Sequence, residues 1–498
     1  MKRYLFLIAI LLMSQLASSQ FYLNKAAVLT KDVGKELHTG DKIELGEVSK
    51  NDLGEVRINI LKDEKNFNLL YTDLRSSLQI EDAKTMSDYW KNIAIRKGTY
   101  YNLLLLENFN KVRIRQEEEN LTFLTFLRGK NLIMKDAYLE DYLTIQLNKI
   151  YPFGLNDNRK GNLNIQVIIN PTPNCYALSN GTILISTGLL SLIKNEDELL
   201  AVLGHEIAHY VLDHQLFITL KLAQMADRAK FWSDFLTTTA LITDIELSNS
   251  NLDQYYPGSL TSYVYYTTRM ISAEVIEHLG LKYSREQEKE ADATAVEILN
   301  VLKIPPSTLS NVLLKIKYYQ ISVGEYCIQC DDQTHPSMDE RISNISKPLE
   351  GHSDKNYDQH ISKVLSFNAS LEFENKHYAT ADSILNRLLA CNMQGSNDLL
   401  IKARIILEKY NSEEKVKEAI SYLESAVKIK SANDIFIYKY LALAQLRLNN
   451  KQDALKYLGA YQNDFIGFQN QVCSKSSCED FSEELKWIAE MTLKVNRL

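Results

Sequence analysis

Cysteine and proline are scarce in this chain: six and eight among 498 residues. So few cysteines exclude a fold held mainly by disulfides. So few prolines, with eighteen glycines, exclude a collagen-like or proline-rich extended architecture. Long apolar runs are missing as well. A membrane-spanning helix needs roughly 18–20 apolar residues in a row, and the nearest internal stretch, Phe231 to Ile245, is cut by Asp234 and Asp244. Positive charge is not in excess either. Against 56 basic residues stand 63 acidic ones, a formal net charge of −7, with no cationic stripe for nucleic acid. What remains is a 45% hydrophobic chain, long enough for two or three domains with large cores.

The most informative stretch runs from Asn195 to His209 and contains His205-Glu206-Ile207-Ala208-His209. Asn195 suits a helix N-cap, Glu196, Asp197 and Glu198 suit the positive end of the helix, and Leu199, Leu200, Val202, Leu203 and Ile207 supply buried surface. Residues four apart sit one turn apart on one face, so His205 and His209 can aim their rings at one point. Two imidazoles are half of a tetrahedral zinc shell, and Glu206 lies beside them, placed to take a proton from a metal-bound water. His214, five residues on, would point about 140° away on a straight helix. The extended metzincin pattern is also absent, since Leu212 and Gln215 stand where it needs glycine and histidine.

A third ligand must come from elsewhere. The segment Ser284 to about Leu302 reads as a helix opened by a capping box, Ser284 with Gln287. Glu288 and Asp292 share its inner face, and Ala291 and Ala295 are small enough to let another helix approach. Glu288 can bind metal while Asp292 accepts the outer N–H of a ligating histidine. Glu286 and Glu290 read as a solvated face.

These segments, with Asn174 to Leu178, Gly181 to Leu189 and Thr334-His335-Pro336 followed by Arg341-Ile342, resemble the M48 family of zinc metallopeptidases over roughly residues 134–346. The resemblance implies an α+β zincin-like domain with one zinc ion on His205, His209 and Glu288, Asp292 behind them, and Glu206 as general base. It also implies a place at the cleft for His335, either steadying the tetrahedral intermediate or blocking the metal in a latent state. Within the family, the architecture is most similar to the periplasmic β-barrel assembly-enhancing proteases.

In chain order, residues 1–19 read as a signal peptide: Lys2 and Arg3, an apolar stretch from Leu5 to Met13, and Ala17-Ser18-Ser19 before Gln20. The expected location is therefore export, with the periplasm first and outer-membrane association or secretion as alternatives, and no transmembrane span in the mature chain. Residues 20–130 read as a mainly β or α+β region of unknown role, with strand patterns at Glu55 to Ile60, Lys111 to Arg115 and Leu121 to Leu127. In the metallopeptidase domain, 131–346, a helix over 134–150 leads to an apolar strand, 163–170. A hairpin then turns on Asn180-Gly181, and the family places its edge strand above the zinc. The aromatic stretch 215–283 suits either a lid or ordinary helical core. Cys327-x-x-Cys330 favours a disulfide, with redox or second-zinc roles left open; Cys473 with Cys478 suits another, leaving Cys175 and Cys391.

A polar linker, 347–360, leads to helical repeats over 361–465 and a helical tail, 466–498. Ala381, Ala419 and Ala454 recur at spacings of 38 and 35 residues, close to the tetratricopeptide period of about 34. The expectation is an exported zinc endopeptidase acting on unfolded or misassembled envelope proteins, with protein or peptide substrates. The repeats offer a surface for partners such as outer-membrane assembly machinery. The alternative is a chaperone-like or scaffold protein that works through its repeats and keeps a latent or structural zinc site.

Overall fold

A computed structural model describes residues 20–80, 83–105, 109–151, 163–222, 275, 279–323, 338–349, 353–431, 434–473 and 482–497. Residues 1–19, most of 223–278, His335, and the cysteines at 327, 330 and 478 lie outside this set, as do the lid, signal-peptide and disulfide expectations placed on them. The chain divides into two compact units, one holding the bulk of the residues up to His352 and the other the bulk of Ser353–Leu498.

The first unit opens with an antiparallel five-stranded sheet in the order β4-β3-β2-β1-β5: β1 Gln20–Leu29, β2 Lys42–Lys50, β3 Val56–Lys62, β4 Lys65–Leu70 and β5 Leu78–Ile80. Alternation explains its single buried face, on which Phe21, Leu23, Ile43, Leu45, Val56, Ile58 and Ile60 all lie inside. Helix α1, Met86–Lys97, begins on a capping box between Thr85 and Asp88 and buries Trp90, whose indole N–H donates to the Ile150 carbonyl at 2.8 Å.

Helix α2, Phe109–Gly129, corrects the two strand patterns read at Lys111 to Arg115 and Leu121 to Leu127. Its buried side is Arg113, Gln116, Asn120, Phe123, Leu124 and Leu127, a helical stripe whose first half is polar. An apolar template cannot see such a face, and the short alternations around it mimic strands.

Helix α3, Ala137–Ile150, capped by Asp136, leads into a three-stranded sheet of order β6-β8-β7: β6 Asn164–Ile168, β7 Cys175–Ala177 and β8 Thr182–Ser186. Strands β7 and β8 form the expected hairpin. Gly181 sits at φ 85°, a conformation glycine adopts without penalty, and Asn180 Oδ1 accepts the Thr182 N–H at 3.1 Å. Beneath this sheet lies α4, Glu196–Val211, with Asn195 accepting the Glu198 N–H as its cap. After a break comes α5, His214–Leu222. Helix α6, Arg285–Val301, starts on the Ser284–Gln287 capping box and packs along α4. The approach is close: a Cβ on Gly204 would lie 3.3 Å from Ile150 Cδ1 and 3.8 Å from Ala295 Cβ. Helices α7, Ser307–Ser322, and α8, Met338–Ile345, complete the unit.

The second unit is entirely helical among its described residues. Helices pair in sequence: α9 Ser362–Glu374 with α10 Tyr378–Cys391, α11 Ser396–Lys409 with α12 Glu413–Ile429, and α13 Ile437–Arg447 with α14 Lys451–Cys473, followed by α15 Ser482–Arg497. Ala381, Ala419 and Ala454 are fully buried, each on the second helix of a pair, where small side chains let the partner approach. Arg404 of α11 lies over Phe373 of α9 and Tyr440 of α13, at 4.3 and 4.8 Å from the ring centres, tying successive pairs together. Among the described residues no helix is long and apolar enough to cross a membrane.

Candidate metal centre

The i, i+4 spacing on α4 aims His205 and His209 the same way, and their Nε2 atoms stand 3.1 Å apart. Glu288, carried in by the close packing of α6, brings its two carboxylate oxygens to 3.5 Å from His205 Nε2 and 3.9 Å from His209 Nε2. All three side chains are buried, and their ligand atoms lie within 4.8 Å of one another.

Hydrogen bonds on the far side of each ring decide what these nitrogens present. Asp292 Oδ1 lies 2.9 Å from His205 Nδ1, a carboxylate contact that favours the ring proton on that nitrogen and leaves a lone pair on Nε2. His209 Nδ1 meets His214 Nδ1 at 2.9 Å, and His214 Nε2 faces Glu290 Oε2 at 3.3 Å. With neutral rings one assignment satisfies this chain of contacts. His214 donates from Nε2 to Glu290, accepts at Nδ1 from His209, and so bares His209 Nε2. Two lone pairs and a carboxylate then converge with no proton among them. That arrangement is repulsive unless a cation occupies the centre, so the donor set fits a metal. A tetrahedral zinc ion with bonds of about 2.0–2.1 Å spaces its donors roughly 3.3–3.4 Å apart, within the range found here.

Charge tells the same story. Arg341 makes two hydrogen bonds to Asp292, at 2.8 and 2.9 Å, and lies 3.2 Å from Glu288. Two carboxylates and one guanidinium, together with an ionised Glu206, leave two negative charges for a dication to balance. Burial, helped by the nearby Glu288, pushes the Glu206 carboxyl up to about 7 against the pull of His205 and the Ala177 N–H. Burial also opposes charge on His205, yet Asp292 and Glu288 outweigh it and raise that ring to about 10. Burial and the neighbouring His205 drive His209 well below its ordinary value, so without a metal the pair carries one positive charge, on His205.

Strand β7 borders this centre. Asn174, Tyr176 and Leu178 face β8, as the bonds Ser186 N–H to Asn174 and Leu178 N–H to Thr182 show, so Cys175 and Ala177 present their main-chain groups to the outer edge. The Ala177 N–H reaches the Glu206 carboxylate on that edge. Cys175, desolvated and near Glu206, has its thiol pushed well above the ordinary range. Tyr283 stacks on the His209 ring, centres 3.8 Å apart and planes at 17°.

The structure thus gathers His205, His209, Glu288, Glu206 and Asp292; His335 lies outside the described residues. Two readings of the sequence need correction. Glu290 is partly exposed, at 36% of its side chain, but also meets His214 and approaches Lys97, at 3.7 Å. His214 is not among the converging donors, but the straight-helix geometry read for it fails: α4 stops before it, and its ring meets the outer nitrogen of His209. Arg341 carried a signal in its motif, but its partners, 49 and 53 residues earlier, were not visible there.

Residues 151–349 match peptidase family M48. The chain is 27% identical over 185 residues to the mitochondrial metalloendopeptidase OMA1 of Schizosaccharomyces pombe, covering 37% of this chain and 46% of that protein. To the OMA1 metalloendopeptidase of Bos taurus it is 22% identical over 263 residues, 52% of this chain and 46% of the relative. To the metalloprotease YcaL of Escherichia coli it is 27% identical over 137 residues, 28% and 44% respectively. The chain spans less than half the length of each of these relatives. The matched segment contains both helices of the centre, so the candidate metal site lies in the part of the chain that is similar to peptidase family M48.

Proposed function

We propose that this protein is an exported zinc endopeptidase that cleaves extended or misassembled polypeptides in the cell envelope. The observation that carries the reading is the buried convergence of His205 Nε2, His209 Nε2 and Glu288, each ring held by a partner that bares the inward nitrogen. His205, His209 and Glu288 would hold the zinc, one ion per chain. A zinc ion so held acidifies water and polarises a peptide carbonyl.

The chain's own groups supply the rest. A peptide laid antiparallel or parallel along the outer edge of β7 hydrogen-bonds to the Cys175 main chain and the Ala177 carbonyl, which grips backbone with little regard for side chains. The same edge carries Glu206, bound to the Ala177 N–H, so the peptide passes beside the general base. Glu206, poised near 7, takes a proton from the attacking water and passes it to the leaving amine. Asp292 and Arg341 hold His205 and Glu288 in register throughout. His335 would meet the developing oxyanion or cap the centre in a latent state.

The paired helices of Ser353–Leu498 are read as tetratricopeptide-like repeats that hold protein partners, outer-membrane assembly machinery among them. Their support is the burial of Ala381, Ala419 and Ala454 at equivalent places. Residues 1–19 support export, and periplasmic residence follows from that reading.

The test is Glu206→Gln. Zinc content should stay at the parental level, while cleavage of an unfolded protein such as reduced casein falls by about 10²–10⁴-fold. Parental cleavage by the zinc-loaded variant refutes the assignment.

A further inference from the structure

His214 meets His209 because the chain breaks between them. Helix α4 ends at Val211, Asp213 adopts a left-handed backbone at φ 57°, and α5 restarts at His214. Residues other than glycine disfavour that conformation, and it persists where surrounding groups hold it. One group that holds Asp213 comes from 100 residues earlier. Arg113 of α2 bonds its carboxylate at 2.9 Å, with side chains only 10% and 5% exposed. Two more buried polar residues dock the same face of α2. Gln116 donates to Thr219 of α5 at 2.6 Å, and Asn120 donates to Ser179, in the turn after β7, at 2.8 Å. On the opposite side of His214, Lys97 of α1 approaches Glu290, which accepts from His214 Nε2.

We propose that the region 20–130 is a working part of the metal centre. Arg113, acting through Asp213, and Lys97, acting through Glu290, position His214 so that it accepts the Nδ1 proton of His209 and leaves Nε2 bare for the metal. Both cations are positioning residues; neither touches the metal or the substrate. This proposal rests on the zinc reading above.

The experiment uses the full mature chain and measures zinc affinity by competition with a chromophoric chelator. The visible spectrum of the Co²⁺-substituted protein reports the ligand environment, and thermal unfolding controls for the fold. Arg113→Met should weaken zinc binding by about 10–100-fold, the usual effect of losing an outer-sphere partner, and shift the Co²⁺ bands. Adding Asp213→Gly removes the carboxylate that lost Arg113 and keeps positive φ accessible, so the double variant should return to within about threefold of the parent.

Folded Arg113→Met with parental affinity and spectrum overturns the proposal alone. So does a double variant as weak as the single one. A parent that binds no zinc overturns the zinc reading and this proposal with it. Should Arg113→Met fail to fold, Asp213→Asn against Asp213→Val decides the matter. Asparagine tolerates the left-handed turn and can still accept from Arg113, while valine cannot take the turn. Asn should bind zinc like the parent and Val should lose it; equal affinities overturn the proposal.

Discussion

Asp292→Asn tests the centre at the point where one carboxylate serves two donors. One oxygen lies 2.9 Å from His205 Nδ1, and the two together accept two N–H groups of Arg341 at 2.8 and 2.9 Å. Burial opposes the charge, yet Arg341 and His205 keep the Asp292 carboxyl below its ordinary value. Asparagine has nearly the same shape but one oxygen. Arg341 has only donors to offer and will claim that oxygen. The amide NH₂ then faces His205 Nδ1, moves the ring proton to Nε2 and blocks the position that binds metal. The alternative rotamer keeps the tautomer and sets an NH₂ against the guanidinium. Either way an outer partner is lost, for which about 10–100-fold in metal affinity is usual, or roughly 1.4–2.8 kcal/mol. The tautomer penalty places the expected value toward the upper end. Chelator competition on purified protein measures it, with circular dichroism confirming the fold. A folded variant that binds zinc as tightly as the parent would refute the tautomer argument, because nothing else in that argument depends on the charge of Asp292.

Three further outcomes follow from other parts of the molecule. Glu288→Ala should purify with little zinc where the parent holds close to one ion per chain; zinc that survives the change, by elemental analysis, would mean that the third donor lies elsewhere. Trp90→Phe removes a buried hydrogen bond to the Ile150 carbonyl, at the end of the helix packed on Gly204, and should lower stability by ~1–3 kcal/mol in urea unfolding. An unchanged midpoint would show that water or another donor takes over. Ala419→Leu inserts three carbons where the side chain is fully buried between paired helices and should destabilise the C-terminal unit by ~1–3 kcal/mol. Urea unfolding measures it, and a midpoint equal to the parent's would refute the packing argument.

The features legible without coordinates are those set by local geometry. The 3.6-residue period puts His205 and His209 on one face, Asn195 and Ser284 announce helix starts, and Asn180-Gly181 announces a turn; each depends on neighbours within a few residues. Glu288 and Asp292 were legible as one face of one helix, because they too are four apart. The polar face of α2 was not. Arg113, Gln116 and Asn120 are buried because Asp213, Thr219 and Ser179 meet them from 59 to 103 residues away, and a polar side chain enters a core when its partner is already there. His214 shows the boundary most clearly. Its identity and spacing were in the sequence, but its direction depends on one left-handed residue, and that conformation is held by an ion pair across 100 residues. Local periodicity thus determined which side chains could share a face. Long-range pairing of buried charges, which needs both partners brought out of water together, decided which of them meet.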